Sequence, residues 1–459
     1  MYRFYINNID NDYHYGELCR VFLNDDDFEV IGIKIRNSKL CLCPNSFLVN
    51  AAGSDDRDTI KRELYLLLQE ISGIRSDWGT LTGVRPLKLA LDIYKRTGSV
   101  EDTFAELKEK YLISEAKLEI LRQIMLYQLE NVKGNPSEKL SVYIGIPFCP
   151  TRCAYCSFAS NVASEAEIEK YLGNLIKEIE YTGGILRDTG AVIESLYIGG
   201  GTPTTLDSSQ LERLIQAVKD YLGVDPAGIE FTIEAGRPDT ITDSKLEAMR
   251  ANGISRISIN PQSMKDHTLK LIGRSHRSSD IVKAYELAGK YDFDVINADL
   301  IAGLPEENLD DFKDSLEKVI GFGANNITVH TLSVKSGSRL KDEDPDYYRK
   351  NVETVSNMLR FAHEKLISEG YIPYYIYRQK HQIGAQENIG YCKMGKHSIY
   401  NIRIMEEKQT VVGLGAGAIG KIYFPDEDRL ERVPNVSNYM VYNERFDEML
   451  ERKNAYYGG

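Results

Sequence analysis

The chain has 459 residues, of which 42% are hydrophobic and 27% are charged, and its formal net charge is −12. This length suits two or three globular domains, and the acidic balance argues against nucleic acid as the main partner. No apolar run approaches the length that spans a bilayer, and the N-terminus lacks the basic and apolar regions of a secretory signal, so we expect a cytoplasmic protein without a membrane span.

The first 135 residues are predicted to form an α+β accessory domain. Apolar periodicity predicts strands at 28–35 and 39–43 and helices at 60–72, 100–110 and 114–131. Between them lies the segment SDWGTLTGVRP, in which Pro86 stands where a helix can start. This segment contains Trp78, the only tryptophan, which is either a packing anchor or part of a substrate or partner surface.

Three of the seven cysteines lie together in the segment VYIGIPFCPTRCAYCSFA. Cys149, Cys153 and Cys156 are spaced C-x3-C-x2-C. Most iron–sulfur cubanes are held by four thiolates, so three in one loop leave one iron open to a ligand. A zinc site would need a second cysteine pair or histidines at ligand spacing, and the other four cysteines are scattered. A disulfide framework is not expected in a chain of this length without an export signal. We therefore predict a 4Fe–4S cluster.

From residue 136 to 335 strands alternate with helices, which predicts right-handed βαβ units and a parallel sheet. The predicted strands are 141–146, 195–198, 229–234, 256–260, 294–300 and 326–332. Six units are two short of a closed eight-stranded barrel, so the predicted fold is an α/β partial (β/α)6 barrel. In such folds the chemistry lies at the carboxyl ends of the strands.

Glycine and polar residues stand at several of these strand ends. The second strand runs into Gly-Gly-Gly-Thr at 199–202, where the backbone can approach a ligand closely. The third strand ends at Glu234, whose carboxylate can pair with a cation. The fifth strand carries Asp299 within an apolar run, and an unpaired buried carboxylate is costly. The alternative for Asp299 is a carboxylate that caps loop amides.

These motifs resemble the radical S-adenosylmethionine (SAM) enzymes and, among them, the oxygen-independent coproporphyrinogen III oxidase family. The resemblance runs from Tyr143 to Ser333 and includes YIGIPFC, GGGTPT, TIEAGRPD, NPQSM, LIGRSH and NADLIAGLP. The chain departs from the family at Asn260-Pro261, where Gly-Val is usual, and at Tyr155, where phenylalanine is usual. The long N-terminal part and Tyr-Arg-Gln-Lys at 377–380 resemble the HemZ-type branch, known as coproporphyrinogen dehydrogenase.

The resemblance implies that the open iron binds the amino and carboxylate groups of SAM, and that one electron cleaves SAM to a 5′-deoxyadenosyl radical. Family members hold two SAM molecules. By position, the residues implied in SAM binding are Tyr143, Tyr155, Gly200, Gly201, Thr202, Glu234, Gln262, Arg274, Asp299, Ser333 and Ile419. The resemblance also implies a HemN-like C-terminal domain at 336–459 that covers the active site, and a reductase such as flavodoxin or ferredoxin as electron donor.

The implied reaction removes a β-hydrogen atom from a propionate of coproporphyrinogen III, and loss of carbon dioxide and of one electron then leaves a vinyl group. Two propionates react in this way, which gives protoporphyrinogen IX in haem biosynthesis. Arg152, Arg237 and Arg378 are candidates for binding the propionates. One alternative is another radical SAM reaction on haem or a porphyrin, by methyl transfer or ring opening. A second is a haem-binding chaperone on the same fold, whose branch carries His-Asn-x-x-Tyr-Trp. This chain has Glu-Asn-Ile-Gly-Tyr-Cys there, from Glu387 to Cys392, which disfavours haem carriage.

A Gly-x-Gly-x-x-Gly motif occurs at 415–420. A dinucleotide site needs a helix directly afterwards and an acidic residue ~20 positions further on. Here KIYFP follows, and Pro425 is incompatible with that helix. We therefore predict close backbone packing at this motif.

Overall fold

The computed structural model describes residues 1–34, 44–83, 85–158 and 160–457. The chain divides into two compact units. Unit 1 holds Met1–Leu126, Ile376–Lys380 and Gly384–Gln386, and unit 2 holds Tyr127–Tyr375, His381–Ile383 and Glu387–Gly459. The division into domains at residues 135 and 335 stays a prediction, and the predicted strand at 39–43 lies outside the described residues. None of the helices in the described ranges has the length and hydropathy that a bilayer crossing requires.

Unit 1 is built on a parallel sheet of three strands in the order β2-β1-β3. Its strands are β1 Tyr2–Asn7, β2 Phe28–Ile33 and β3 Ser46–Val49, and its helices are α1 Tyr13–Phe22, α2 Arg57–Ser72, α3 Pro86–Thr97, α4 Val100–Tyr111 and most of α5 Glu115–Asn131. Phe4 and Ile6 of β1 pack with Leu18 of α1 and Leu64 of α2 in one apolar core. The helices predicted for this part of the chain are confirmed, and α3 begins at Pro86 as predicted.

Unit 2 contains six parallel strands in chain order, the arrangement of a partial (β/α)6 barrel. The strands are β4 Leu140–Ile146, β5 Ile193–Gly200, β6 Glu230–Glu234, β7 Arg256–Ser258, β8 Val295–Ala302 and β9 Asn326–Thr331. The helices among them are α6 Glu165–Asp188, α7 Ser208–Leu222, α8 Asp243–Ala251, α9 Asp266–Leu271, α10 Ser278–Ala288 and α11 Leu309–Gly321. Each strand pairs in parallel with the next, so all six predicted strands are confirmed.

Helix α7 shows why these elements form where they do. Asp207 and Gln210 make a reciprocal capping box at its start. Leu214 and Val218, four residues apart, are buried on one face. The helix ends at Gly223, whose φ of 65° is left-handed and suits glycine. The cap, the apolar face and the terminating glycine all lie within the segment itself, and this is why the helix can be predicted from the sequence.

The chain after residue 336 extends the same sheet at both edges. Its elements are α12 Arg339–Glu343, α13 Val352–Ser368, β10 Ile372–Arg378, β11 Glu387–Cys392, α14 Ile399–Glu406, β12 Thr410–Leu414, β13 Ile419–Phe424, β14 Arg429–Pro434, α15 Tyr439–Glu444 and α16 Phe446–Tyr457. The strand order is β10-β11-β9-β8-β7-β6-β5-β4-β12-β13-β14, with β12 parallel to β4. The Gly-x-Gly-x-x-Gly motif therefore spans the turn after β12 and the first two residues of β13, and it continues as a strand rather than as the helix of a dinucleotide site.

A fully buried ion pair joins α6 to α16. Glu178 and Lys453 are both 0% exposed, and Lys453 Nζ lies 3.4 Å from Glu178 Oε1. Glu178 Oε2 accepts hydrogen bonds of 2.7 Å from the Gly415 amide and from the Tyr442 hydroxyl. Lys453 donates to the Gly413 carbonyl at 2.6 Å. This network holds the glycine-rich loop after β12, as the prediction of close packing requires.

Candidate cluster and cofactor site

The three clustered cysteines lie in the loop that leaves the carboxyl end of β4. Backbone hydrogen bonds fasten this loop: the Cys149 amide donates to Asn161 at 3.0 Å, the Ala154 amide to Ile272 at 2.9 Å, and the Leu340 amide to Ala154 at 3.0 Å. All three thiols are free and partly exposed. In the described ranges no three His, Cys, Asp or Glu side chains converge on a single metal ion. A cubane binds each thiolate to a different iron, so it does not require that convergence.

Two buried arginines face the cysteine loop. Arg237, which is 3% exposed, donates to the Thr151 carbonyl at 3.3 Å and to its hydroxyl at 3.0 Å. Its Nη1 lies 4.0 Å from Cys153 Sγ. Arg274 lies 3.4 Å from the Tyr155 hydroxyl. Burial raises the pKa of the Cys149 thiol to about 11, and the positive charge of Arg237 opposes that shift. Three thiols in one loop with positive charge beside them nevertheless fit an iron–sulfur cluster, because metal binding itself drives loss of the thiol proton.

The glycine turn after β5 borders the same loop. The Thr202 amide donates to the Phe148 carbonyl at 2.7 Å, and the Thr202 hydroxyl lies 3.4 Å from Cys149 Sγ. Gly200 has a φ of +106°, a conformation that other residues rarely adopt. Gly201 passes so near the β4 end that only a hydrogen atom fits in place of a side chain. The turn therefore brings backbone groups directly beside the cysteines.

Gly201→Ala is expected to distort the cysteine loop. A Cβ at this position would lie 2.5 Å from the Phe148 carbonyl oxygen and 2.9 Å from that of Ile146, so the backbone must move. Overpacking of this kind costs about 1–3 kcal/mol. Denaturant unfolding and iron content after anaerobic loading both measure the effect.

The matched control for this glycine is Gly184→Ala in α6. A Cβ there meets nothing within 4 Å, and alanine in a helix is expected to raise stability by about 0.5–1 kcal/mol. Equal stability and equal iron content in the two variants would contradict the geometry described for Gly201.

Glu234 is the last residue of β6. The Tyr197 hydroxyl donates to its Oε1 at 2.6 Å. Burial, together with the nearby Asp299 carboxylate, raises the pKa of Glu234 to about 7. The rings of Tyr197 and Tyr400 stack with centroids 4.7 Å apart, and Tyr143 stacks on Tyr197 at 6.3 Å. A cationic ligand next to Glu234 would favour the ionised form of its carboxyl group, because opposite charges attract.

Asp299 lies on β8, two strands from β6 in the sheet, and Gln262 lies in the turn after β7. Asn297 Nδ2 donates to Asp299 Oδ1 at 2.9 Å, and His330 Nε2 lies 3.6 Å from Asp299 Oδ2. Asn297 lies on the same strand as Asp299 and His330 on the adjacent β9, so these partners are strand side chains rather than the loop amides of the alternative interpretation. Gln262 has a φ of 65°, and its buried Oε1 has no hydrogen-bond partner in the described residues. An orphaned buried acceptor of this kind is a candidate for contact with a ligand.

Most residues implied in SAM binding therefore lie at one edge of the sheet, on or after the ends of β4 to β8. Ser333 lies just beyond β9 and is buried, forming an isolated bridge with Gln382. Ile419 stands apart as the first residue of β13, with 50% of its surface exposed. The roles of all these residues stay predictions.

Tyr197 and Tyr400 were not predicted from the sequence, and Arg237 was predicted only as a candidate for binding propionates. Tyr197 could have been identified from the sequence, because it lies two residues before Gly199 and on the same face of the sheet as Glu234. Tyr400 could not have been identified in this way, because it lies on α14, about 200 residues further along the chain. Besides contacting the cysteine loop, Arg237 pairs with Asp239 at 3.1 Å, whereas the exposed Arg152 donates to the Gly337 carbonyl at 2.7 Å.

Comparison with known proteins gives four findings. The Radical SAM superfamily model matches residues 143–319. The oxygen-independent coproporphyrinogen-III oxidase-like protein HemZ of Bacillus subtilis is 39% identical over 408 residues, which cover 87% of this chain and 81% of that protein. The heme chaperone HemW of the same organism is 29% identical over 61% of this chain and 71% of that protein. Among solved structures, coproporphyrinogen III oxidase (HemN) from Escherichia coli, a radical SAM enzyme, shares the fold with a TM-score of 0.55 and 22% identity, over 71% of this chain and 73% of that one.

Proposed function

Because the chain belongs to the HemZ-type family of oxygen-independent coproporphyrinogen III oxidase-like radical SAM proteins, we propose that it converts coproporphyrinogen III to protoporphyrinogen IX. Membership of the radical SAM superfamily implies a 4Fe–4S cluster and SAM as cofactors. The observation that carries the proposal is the meeting of the cysteine loop, the glycine turn and Glu234 at one sheet edge. When bound, these cofactors supply a carbon-centred radical that takes a hydrogen atom from a propionate chain.

In this proposal Cys149, Cys153 and Cys156 hold the cluster. The backbone of 200–202 and the Glu234 carboxylate bind the ammonium or ribose end of SAM. Arg274 anchors through Nη1 to the Asn260 carbonyl at 2.6 Å, and its buried Nε has no hydrogen-bond partner in the described part of the chain. That remaining edge of the guanidinium suits a carboxylate, which it binds at two points.

The remaining predicted contacts complete the proposed cofactor site. Asp299 and the orphaned Gln262 Oε1 accept hydrogen bonds from the nucleoside, and the stacked tyrosines exclude water from the radical. Further contacts, including those to a second SAM molecule, are proposed for Tyr143, Tyr155, Ser333 and Ile419. We place the reaction in the cytoplasm, with flavodoxin or ferredoxin as the electron donor.

Glu234→Gln is expected to weaken SAM binding by about tenfold or more at about pH 8, since a hydrogen bond to a charged group is worth about 1.5–3 kcal/mol. The pKa of Glu234 is raised to about 7, so the wild-type carboxyl gains a proton as the pH falls below that value. Wild-type affinity should then fall towards that of the variant. Anaerobic calorimetry with SAM on the cluster-loaded protein measures both effects.

The ionisable groups around Glu234 are Asp299 and the three stacked tyrosines, and burial keeps the pKa of each tyrosine well above 10. Glu212→Gln, on the exposed face of α7, makes the same change in net charge and is the control. Equal SAM affinity for Glu234→Gln and wild type at high pH would refute the assigned contact.

The HemW relatives favour a second candidate, haem binding without turnover. Against it stands Glu387, which takes the place of the histidine in the His-Asn pair of that branch; Glu387 and Asn388 are both buried in β11. Asn388 Oδ1 accepts hydrogen bonds from the Thr331 amide at 2.8 Å and from Gln382 Nε2 at 2.9 Å, so it is occupied in the core.

An anaerobic comparison separates the two candidates. The cluster-loaded protein is supplied with reductant and SAM, and 5′-deoxyadenosine is measured with and without coproporphyrinogen III. In parallel, haem is titrated and its Soret band recorded. Repeated turnover that depends on coproporphyrinogen supports the decarboxylase, whereas stoichiometric haem binding without turnover supports the chaperone.

A further inference from the structure

Unit 1 contains a buried lysine beside the segment between Trp78 and α3. Lys61 of α2 is 8% exposed, and its ammonium donates to the Thr82 hydroxyl at 3.1 Å. In the described residues this ammonium makes no ion pair with a carboxylate. A buried cation without a counter-ion is costly, because a hydroxyl compensates only part of the lost hydration.

Further positive charge surrounds Lys61. Burial lowers the pKa of Lys61 to about 8; Asp58 opposes this shift, and the charges of Arg57 and Arg378 add to it. Asp58 is itself paired with Lys110 at 3.0 Å. The local balance is therefore positive, and an anion placed here would be attracted by several groups at once.

Arg378 fixes the segment that carries Thr82. Its guanidinium lies over the Trp78 ring, 5.2 Å from the centroid. It also donates to the Leu81 carbonyl and, at 2.8 Å, to the Ala385 carbonyl. Arg378, the last residue of β10, is thus packed within unit 1. It holds Thr82 in place beside Lys61.

Helix α3 begins four residues after Thr82 and adds donors of its own. The N-cap residue Arg85 makes no side-chain cap, Pro86 is the first helical residue, and the first turn carries no acidic side chain. The first amides of a helix lack intrahelical acceptors, and the helix dipole favours negative charge there. Gly83 is exposed, and nothing lies within 4 Å of where its Cβ would be. The approach from solvent is therefore not crowded at this residue.

We propose that unit 1 binds an oxyanion, a carboxylate or a phosphate, between Lys61, Arg57, Thr82 and the start of α3. A compact ammonium beside a hydroxyl and free helix amides matches the several acceptor oxygens of either group. The anion arrives either as a propionate of a porphyrin or as the phosphate of a separate ligand. This inference does not rest on the proposed function.

The single tryptophan makes the site directly observable, because Trp78 lies under Arg378 in the same unit. The full-length protein is titrated with inorganic phosphate while tryptophan fluorescence is recorded, and with coproporphyrin III by calorimetry, with and without phosphate. The wild type is expected to show a saturable response to inorganic phosphate or to coproporphyrin III. Lys61→Met is expected to weaken it by about tenfold or more, and Arg57→Gln to weaken it less.

Lys95→Met, an exposed lysine near the far end of α3, is the matched control and should bind as the wild type does. Removing a buried charge should leave Lys61→Met at least as stable as the wild type, which thermal unfolding checks. Coproporphyrin binding that phosphate displaces assigns the carboxylate source, and binding of phosphate alone assigns the phosphate source. No saturable response in the wild type, or equal affinity in Lys61→Met, would overturn the proposal.

Discussion

Cys153→Ala is expected to lose the bound cluster and, with it, cleavage of SAM. The loop supplies three thiols and fastens them through backbone bonds such as that from Ala154 to Ile272, so two remaining thiols cannot replace the third. Mutating residues that merely support a metal ligand costs about 10–100-fold in affinity or activity, and loss of a ligand should exceed that range. Iron and sulfide content after anaerobic loading and 5′-deoxyadenosine formation are the measurements.

Cys392→Ala is the matched control for this substitution. Cys392 is also a free thiol, but it is buried in β11 away from the loop. The control should therefore keep its iron and cleave SAM at the wild-type rate. If Cys153→Ala kept a reducible cluster and cleaved SAM, the assignment of the three ligands would be wrong.

Lys453→Met is expected to destabilise unit 2 by about 3–5 kcal/mol, since it leaves Glu178 buried without its counter-ion. Both side chains are fully buried, and the pair also holds the loop at Gly413 and Gly415. Replacing both partners, as Glu178→Gln with Lys453→Met, removes the stranded charge. The double variant should therefore lose less stability than the sum of the single variants, as measured by denaturant unfolding.

Arg445→Met provides the surface comparison for the buried pair. Arg445 and Glu448 are paired at side-chain exposures of 50% and 34%, so breaking their pair should cost less than about 1 kcal/mol. A cost for Lys453→Met no greater than that of Arg445→Met would show that the buried network contributes little to stability.

The parts of the fold that the sequence predicted have local causes. Helix α7 has a capping box, an apolar face and a glycine stop within its own segment, and α3 begins at a proline. The six parallel strands are short apolar runs between amphipathic helices, so each needs only its immediate neighbourhood to be recognised. The cysteine spacing is equally local, which is why the candidate cluster ligands could be named from the sequence.

The contacts that escaped prediction join residues far apart along the chain. Tyr400 reaches Tyr197 only because α14 folds back against the sheet. In the sequence Glu178 resembles any charged residue of a helix, and only the packing of α16 against α6 places Lys453 beside it. The hydrogen bond from the Arg378 guanidinium to the Leu81 carbonyl, 297 residues earlier in the chain, was likewise not predicted. No local pattern encodes these pairings, since each depends on how distant elements pack.

The most direct test of the proposed reaction is mass spectrometry of the porphyrinogen after anaerobic incubation with the cluster-loaded protein, SAM and reductant. Oxidative decarboxylation predicts that two propionates of coproporphyrinogen III become vinyl groups, giving protoporphyrinogen IX together with 5′-deoxyadenosine. Unchanged coproporphyrinogen III in a reaction that has consumed SAM would contradict the assignment.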